Sequence, residues 1–363
     1  MPRSRKLRLR GLWFQVHKWI GLTLAILIVP ISLSGAALVW HDALDSAINP
    51  QRYAVSGEAA LGPAAYARSA GVALGAGDRI ASIRYPEHGG GPVVVAAVRP
   101  GEGRPLRTNA WLDPATGRVL DTASADAGAV RFLHTLHGSL TVPGWGRTIV
   151  GWVGAAMFLS CLTGLWLWWP IGGSLSRGFR WKRQNSANAN LHHLIGFWVL
   201  LPLAMLSFTG LWISFPAVFS GAGPDRARAV RALPLARTAL TADQALAAAR
   251  PLAQGAPTTI GWPTDQAPTW KIAFGPVEVA VDDATGKAAP PPPPRPETRA
   301  RLMRRLHDGT GMGPVWQALI FLAGIIPAAL AATGIVMWLR SRGWRAALAR
   351  KRRAASLAPQ PAE

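Results

Sequence analysis

Residues 191–212 read LHHLIGFWVLLPLAMLSFTGLW: a histidine opens a long apolar run, and a Thr-Gly pair stands near its far end. Residues 17–35, HKWIGLTLAILIVPISLSG, have the same layout. His17 precedes Gly21 by four and Gly35 by eighteen; His192 precedes Gly196 by four and Gly210 by eighteen. Eighteen residues are about five helical turns, so each histidine shares a helix face with its distal glycine. A second pair of stretches repeats too. Leu136-His137 lies 27 residues before Gly164, and Leu306-His307 lies 27 before Gly334. Asp113-Pro-Ala-Thr-Gly-Arg matches Asp282-Asp-Ala-Thr-Gly-Lys between the apolar runs. The chain reads as one unit used twice: helix, outside segment, helix.

Hydrophobic residues make up 50% of the 363, and their distribution sets the class. Residues 20–40, 148–169, 194–219 and 315–339 contain no Asp, Glu, Lys or Arg. Each run exceeds the roughly 20 apolar residues that cross a bilayer. The fold class expected is an α-helical integral membrane protein: a four-transmembrane-helix bundle from a duplicated helix–periplasmic segment–helix unit, with two small α+β periplasmic segments. The divisions expected are a basic cytoplasmic tail and the start of the first helix at 1–18, that helix at 19–41, and a first periplasmic segment at 42–130. A histidine segment and second helix follow at 131–170, a cytoplasmic loop at 171–190 and a third helix at 191–219. A second periplasmic segment at 220–298, a histidine segment and fourth helix at 299–340, and a basic tail at 341–363 complete the chain.

The net charge of +21 marks topology rather than a nucleic-acid partner. Arg3, Arg5, Lys6, Arg8, Arg10 and Lys18 flank the first helix; Arg177, Arg180, Lys182 and Arg183 fill the short loop; Arg340, Arg342, Arg345, Arg350, Lys351, Arg352 and Arg353 follow the fourth helix. An even-numbered bundle puts these three segments on one side, and the positive-inside rule makes that side, with both termini, cytoplasmic. The location expected is the bacterial inner membrane, with lipid as a partner. Arg295, Arg299, Arg301, Arg304 and Arg305 crowd the opposite end, as a docking place for an anionic partner or a solvated basic turn. The first apolar run is longer than a signal peptide's and lacks a clear A-x-A site, so it is expected to stay as a helix. Cys161, the lone cysteine, falls in mid-membrane and reads as a small core residue, with no disulfide or thiolate metal site possible within one chain. Most of the 17 tryptophans lie at helix ends as an aromatic belt.

Within the outside segments, residues 62–74 and 241–250 read as helices, the latter capped by Thr241. Residues 80–85, 92–98, 270–274 and 277–281 read as strands. The two Asp-x-Ala-Thr-Gly stretches read as hairpin turns, and 290–294 as a polyproline spacer. Residues 132–140 form a short helical segment that Pro143-Gly144 should end.

Six of the eight histidines lie at membrane-helix ends or in the segments leading into them, where an ionisable group is a functional hypothesis. The repeat puts His17 and His192 at the cytoplasmic end and His137 and His307 at the periplasmic end. Two imidazoles per side, each pair drawn from two helices, match the axial ligands of a b-type haem, so two haem b groups are expected. Gly21, Gly196, Gly138 and Gly309 are read as leaving room for the macrocycle. No C-x-x-C-H is present, so attachment would not be covalent. Of the adjacent His192 and His193 only one can face the seam; the repeat selects His192, leaving His193 to lipid headgroups or a propionate. His134 and His137 share a helix face, and His134 stays open as a replacement ligand or a second metal site. His41 and His88 have no repeat counterpart and read as structural or surface residues, or as contacts to substrate iron. No catalytic acid or base is expected.

The chain resembles the PepSY-associated transmembrane family, whose better understood members are inner-membrane ferric-siderophore reductases. The resemblance rests on His17-Lys-Trp-Ile-Gly, His134-Thr-Leu-His137, Leu162-Thr-Gly-Leu-Trp-Leu-Trp-Trp-Pro, Leu191-His-His-Leu-Ile-Gly, and Leu306-His307 with Thr333-Gly334. It covers residues from about 12 to 342, and the two Asp-x-Ala-Thr-Gly turns resemble the closing hairpin of PepSY domains. It implies haem b on transmembrane histidines and a ferric siderophore as periplasmic substrate. No Gly-x-Gly-x-x-Gly opens a helix after a strand, so the electron donor expected is a quinol, a reduced flavin or a separate reductase. The alternatives are a b-type cytochrome serving another acceptor, or a non-redox metal-binding, transport or peptide-binding membrane protein.

Overall fold

The computed structural model describes residues 5–86, 89–101, 105–170, 175–180, 184, 186–219, 232–292 and 297–357. Arg3, His88, Lys182, Arg183 and Arg295 lie outside the described residues, as does part of the expected polyproline spacer. In chain order the helices are α1 (Arg5–Leu38), α2 (His41–Ile48), α3 (Pro63–Ala73), α4 (Ala129–Ser139) and α5 (Gly146–Trp168). Then come α6 (Ala187–Ser214), α7 (Pro216–Phe219), α8 (Ala242–Ala249), α9 (Arg299–Asp308) and α10 (Gly313–Leu357). The chain divides into a helical unit and a sheet unit.

Helices α1, α5, α6 and α10 of the helical unit are long and apolar enough to cross a membrane. Helix α5, with 23 residues, is about 35 Å long at 1.5 Å per residue. Their outward faces expose Ile26, Trp198, Leu201 and Leu322, as helices in an apolar solvent must. The helix expected over 191–219 ends at Ser214, because the backbone before Pro216 disfavours the helical region. The fourth helix continues through the basic tail to Leu357. Helix ends leave carbonyls without intrahelical partners. The Arg10 guanidinium donates to the carbonyls of Trp166, Leu167 and Trp169 at the end of α5, and Arg147 donates to that of Ile213 at the end of α6. A cation at a helix C-terminus also opposes the helix dipole favourably.

Helix α1 packs on α5 and α10, and α6 packs on the same two, so α1 and α6 lie diagonally across the bundle. Small residues set the close approaches. A Cβ on Gly324 of α10 would sit 2.9 Å from the Ala36 Cβ of α1, and one on Gly154 of α5 would sit 3.1 Å from the Ser207 carbonyl oxygen of α6. Lipid gives no hydrophobic drive for helix association, so such contacts supply the packing instead. Cys161 is buried here as expected.

The sheet unit joins the two outside segments in one antiparallel sheet rather than two separate ones. Its strands are β1 (Arg79–Arg84), β2 (Val93–Arg99), β3 (Leu106–Leu112), β4 (Val119–Ser124), β5 (Thr259–Gly261), β6 (Thr269–Phe274), β7 (Val277–Asp282) and β8 (Ala288–Ala289). The order β4-β3-β2-β1-β5-β6-β7-β8 is symmetric about the β1–β5 pairing, where Ser82, Ile83 and Arg84 face Gly261, Ile260 and Thr259. Alternate residues of each strand point to one face: Ile83, Val93, Val95, Ile260, Ile272, Val279 and Val281 are buried there beneath Tyr66 and Ala70 of α3 and Ala245, Leu246 and Ala249 of α8. Helix α8 starts with a full capping box between Thr241 and Gln244.

The two Asp-x-Ala-Thr-Gly turns fold alike. Gly117 N–H donates to the Asp113 carbonyl at 2.8 Å, and Gly286 N–H to the Asp282 carbonyl at 2.9 Å. Both glycines take positive φ, 71° and 70°, a region glycine enters without steric penalty. The carboxylates then divide their labour differently in the two halves. Asp113, 1% exposed, accepts from Ser56 Oγ (2.6 Å), Ser56 N (2.9 Å) and Thr116 Oγ1 (2.6 Å). In the second half Asp282 holds Thr285, while Asp283 accepts from Trp270 Nε1 (2.8 Å) and the N–H groups of Ala239 and Leu240.

The Ser56 side-chain and backbone bonds, then that of Thr116, hold the Asp113 carboxyl down at about 2. A depressed carboxyl contributes stability above its unfolded value and loses it as pH falls toward the folded one. This carboxyl should therefore leave the stability of the sheet unit unchanged between pH 7 and about pH 4, and its contribution should be lost below that. Asp113→Ala should cost about 1–3 kcal/mol at neutral pH by orphaning buried donors and flatten that acid limb; thermal melts of the full-length protein at pH 7 and pH 3 measure both.

Candidate functional site

Each of the four repeat histidines reaches across to another helix of its own half. His17 of α1 meets α5, and His137 of α4 meets α1; His192 of α6 meets α10, and His307 of α9 meets α6. Two short connections make this possible. Helix α4 turns toward α5 through Leu140 and Thr141, both left-handed at φ 51° and 59°, an uncommon state for L side chains. Helix α9 ends on Gly309 at φ 77°, a left-handed C-cap. Gly309 therefore serves to turn the chain, not to open space as the sequence reading had it.

The Nδ1 atoms are all engaged. His17 Nδ1 lies 3.1 Å from the Ser160 carbonyl and 3.0 Å from Thr163 Oγ1. His137 Nδ1 lies 2.8 Å from the Ile31 carbonyl. His192 Nδ1 is 3.0 Å from Thr333 Oγ1, and His307 Nδ1 is 2.9 Å from Thr209 Oγ1. A carbonyl only accepts, so His17 and His137 carry the proton on Nδ1. The three threonine hydroxyls each donate their single hydrogen to a carbonyl of their own helix: Thr163 to Ser160, Thr209 to Met205 and Thr333 to Leu330. With their hydrogens given to those carbonyls the hydroxyls accept from the imidazoles, and His192 and His307 then hold Nδ1–H. All four rings keep the Nε2 lone pair for something else.

The rings pair between halves. His17 and His192 have centroids 6.3 Å apart with planes at 87°, and His137 and His307 are 5.9 Å apart at 40°. With metal–nitrogen bonds of about 2 Å and a ring centre about 1 Å behind each nitrogen, two imidazoles sharing one ion in line have centres about 6 Å apart. Among the described residues no group of three or more His, Cys, Asp or Glu side chains could hold an ion. Two imidazoles are too few for a bare tetrahedral ion but suffice for a metal whose remaining positions a macrocycle fills. The donor set thus fits a haem.

Space fits as well. A cavity of about 750 Å³ surrounds the His17–His192 pair, within the range of cofactor sites. Gly21 and Gly196 line it, and a Cβ on either would meet nothing within 4 Å. Lys18, Arg342 and Arg345 also line it, cations suited to carboxylates of a ligand.

The other candidates fall outside the pairs. His134 is exposed on α4, so the structure brings His137 rather than His134 to His307. His193 lines the same cavity as His192 and stacks on Trp168 (6.0 Å, 20°) with Nε2 3.3 Å from the Gly178 carbonyl, in the interior rather than among headgroups. His41 is exposed on α2, 3.4 Å from Asp42. Arg299, Arg301 and Arg304 are exposed on α9, while Arg305 bonds the Thr310 carbonyl. Sequence reasoning noted the Thr-Gly pairs but gave Ser34, Thr163, Thr209 and Thr333 no role, although each directly precedes a glycine the repeat had marked.

Residues 14–341 match the family model described as PepSY-associated TM region. No curated protein matches the chain.

Proposed function

The chain belongs to the PepSY-associated transmembrane family and is a multi-pass membrane protein; from that premise we propose that it is a haem-b electron conduit of the bacterial inner membrane that reduces ferric siderophore on the periplasmic side. The observation that carries this reading is the ring pairing: two imidazole pairs with centroids 6.3 and 5.9 Å apart, with every Nδ1 already bonded. His17 and His192 would hold one haem, and His137 and His307 the other. Bound haem would supply the one-electron exchange. The chain's own part is to fix the imidazoles, present Nε2 and keep water from the apolar seam.

The reaction needs no acid or base. A ferric chelate gains one electron, and the ferrous ion, held far more weakly, leaves the siderophore. The electron comes from a quinol, a reduced flavin or a separate reductase on the other side. The His17–His192 end is assigned to the cytoplasm because Arg8, Arg10 and Lys18 in α1 and Arg340, Arg342 and Arg345 in α10 gather there. The exposed arginines of α9 would draw an anionic chelate toward the opposite end. The duplicated layout supports the same reading, since one repeat supplies one member of each pair.

Optical spectra of the detergent-purified protein, before and after dithionite and with haem quantified per chain, test it. Near two haems with sharp low-spin reduced bands are expected. Colourless protein made with ample haem would overturn the reading.

A further inference from the structure

Each histidine meets a hydroxyl-glycine dipeptide on its neighbour, Thr-Gly in three cases and Ser-Gly in one: Thr163-Gly164 for His17, Ser34-Gly35 for His137, Thr333-Gly334 for His192 and Thr209-Gly210 for His307. The glycine stands under the ring. A Cβ there would lie 3.2 Å from Cε1 of His17 or His307, 2.6 Å from that of His137 and 3.8 Å from that of His192. The hydroxyl residue stands beside Nδ1. Thr163, Thr209 and Ser34 are buried to 3%, 1% and 3% exposure, and a buried hydroxyl is retained where it has bonds to make.

One of the four departs from the pattern. The Ser34 hydroxyl donates to the carbonyls of Pro30 (2.6 Å) and Ile31 (3.0 Å), and His137 bonds the Ile31 carbonyl instead of the hydroxyl. His17 bonds both a threonine hydroxyl and a carbonyl. His307 and His192 likewise bond both a carbonyl, of Leu206 and Leu330, and a threonine hydroxyl, at 2.9 and 3.0 Å; only His137 has the carbonyl without the hydroxyl.

We propose that Thr163, Thr333 and Thr209, each with the glycine that follows, are positioning residues for His17, His192 and His307, the hydroxyl fixing ring rotation while the glycine admits the ring, and that at His137 Gly35 admits the ring while the main chain alone anchors it, Ser34 taking no part. The spectroscopic consequence rests on the haem reading. A partner on the far nitrogen of an axial imidazole sets its orientation and its basicity, and through these the electronics of the metal. The angle between two axial imidazole planes also governs the g-value spread of a low-spin ferric centre.

The test compares Thr209→Val, Thr209→Ser and Ser34→Ala with the parent protein. All should bind two haems. Thr209→Val, which keeps shape but removes the acceptor, should change the g-spread and midpoint potential of one haem; Thr209→Ser should restore both. Ser34→Ala should leave both haems as they were. Unaltered spectra and potential in Thr209→Val, or equal shifts in Ser34→Ala, would overturn the proposal. If the parent protein is colourless, only the functional reading fails. Histidine ¹⁵N resonances of that haem-free protein then decide the positioning role: His307 must respond to Thr209→Val and His137 must not respond to Ser34→Ala, and the reverse outcome overturns it.

Discussion

On the proposed haem reading, His307→Ala is expected to leave the protein with one haem instead of two. His307 supplies one of the two imidazoles in its pair, whose ring centroids lie 5.9 Å apart, so its loss leaves His137 alone at that end. The His17–His192 pair draws its anchors from Thr163 and Thr333 and shares none with His307, so its reduced bands should be unchanged. His17→Ala should show the complementary loss. Ferric-chelate reduction should fall to background in both variants, because a conduit in series fails at either end. His134→Ala, which changes an exposed residue outside the pair, should retain both haems and full activity. Haem quantification and difference spectra on the three variants decide the matter; two haems retained in His307→Ala would rule out the assigned pairs.

The second large effect needs only one added methyl group. A Cβ on Gly35 would lie 2.6 Å from His137 Cε1 and 2.8 Å from Nδ1, distances real Cβ atoms do not sustain. The ring must then leave the Ile31 carbonyl or push α1 aside, and overpacking of that kind costs about 1–3 kcal/mol. Assigned wholly to the ligand site, this is about five- to 150-fold weaker haem retention. Helix damage is no competing explanation, because alanine favours a helix more than glycine does. Gly334→Ala is the internal control: its Cβ would rest 3.8 Å from His192 Cε1, in ordinary contact. Gly164→Ala and Gly210→Ala, at 3.2 Å each, should fall between. Haem content across the four variants should follow that order, and equal loss in Gly334→Ala would remove the steric account.

The helical unit was legible because bilayer-spanning helices announce themselves by length and by missing charge. The histidine positions were legible because the repeat selected His192 over His193 and gave His137 a counterpart that His134 lacks. Side-chain engagement was not. Nothing in LHHL tells which carbonyl His193 meets, since Gly178 lies on a separate stretch of chain. Gly309 looked like Gly196 in sequence, yet one caps a helix and the other opens on a cavity, a difference made by backbone φ. The outside segments were read as two pieces because each has its own helix, hairpin and turn. Their union depends on β1 and β5, whose pairing spans residues 84 and 259, and long-range pairing leaves no local trace.

That pairing has a consequence for how the protein is made. Chains emerge N-terminal end first, so β1 is complete long before β5 exists. Until then β1 is an open edge with unpaired amide and carbonyl groups, a template for any extended strand nearby. The first outside segment must wait through synthesis of α5 and α6 before its proper neighbour arrives. Edge-to-edge capture by another nascent chain is the hazard of that interval, and truncation before residue 259 would make the interval permanent.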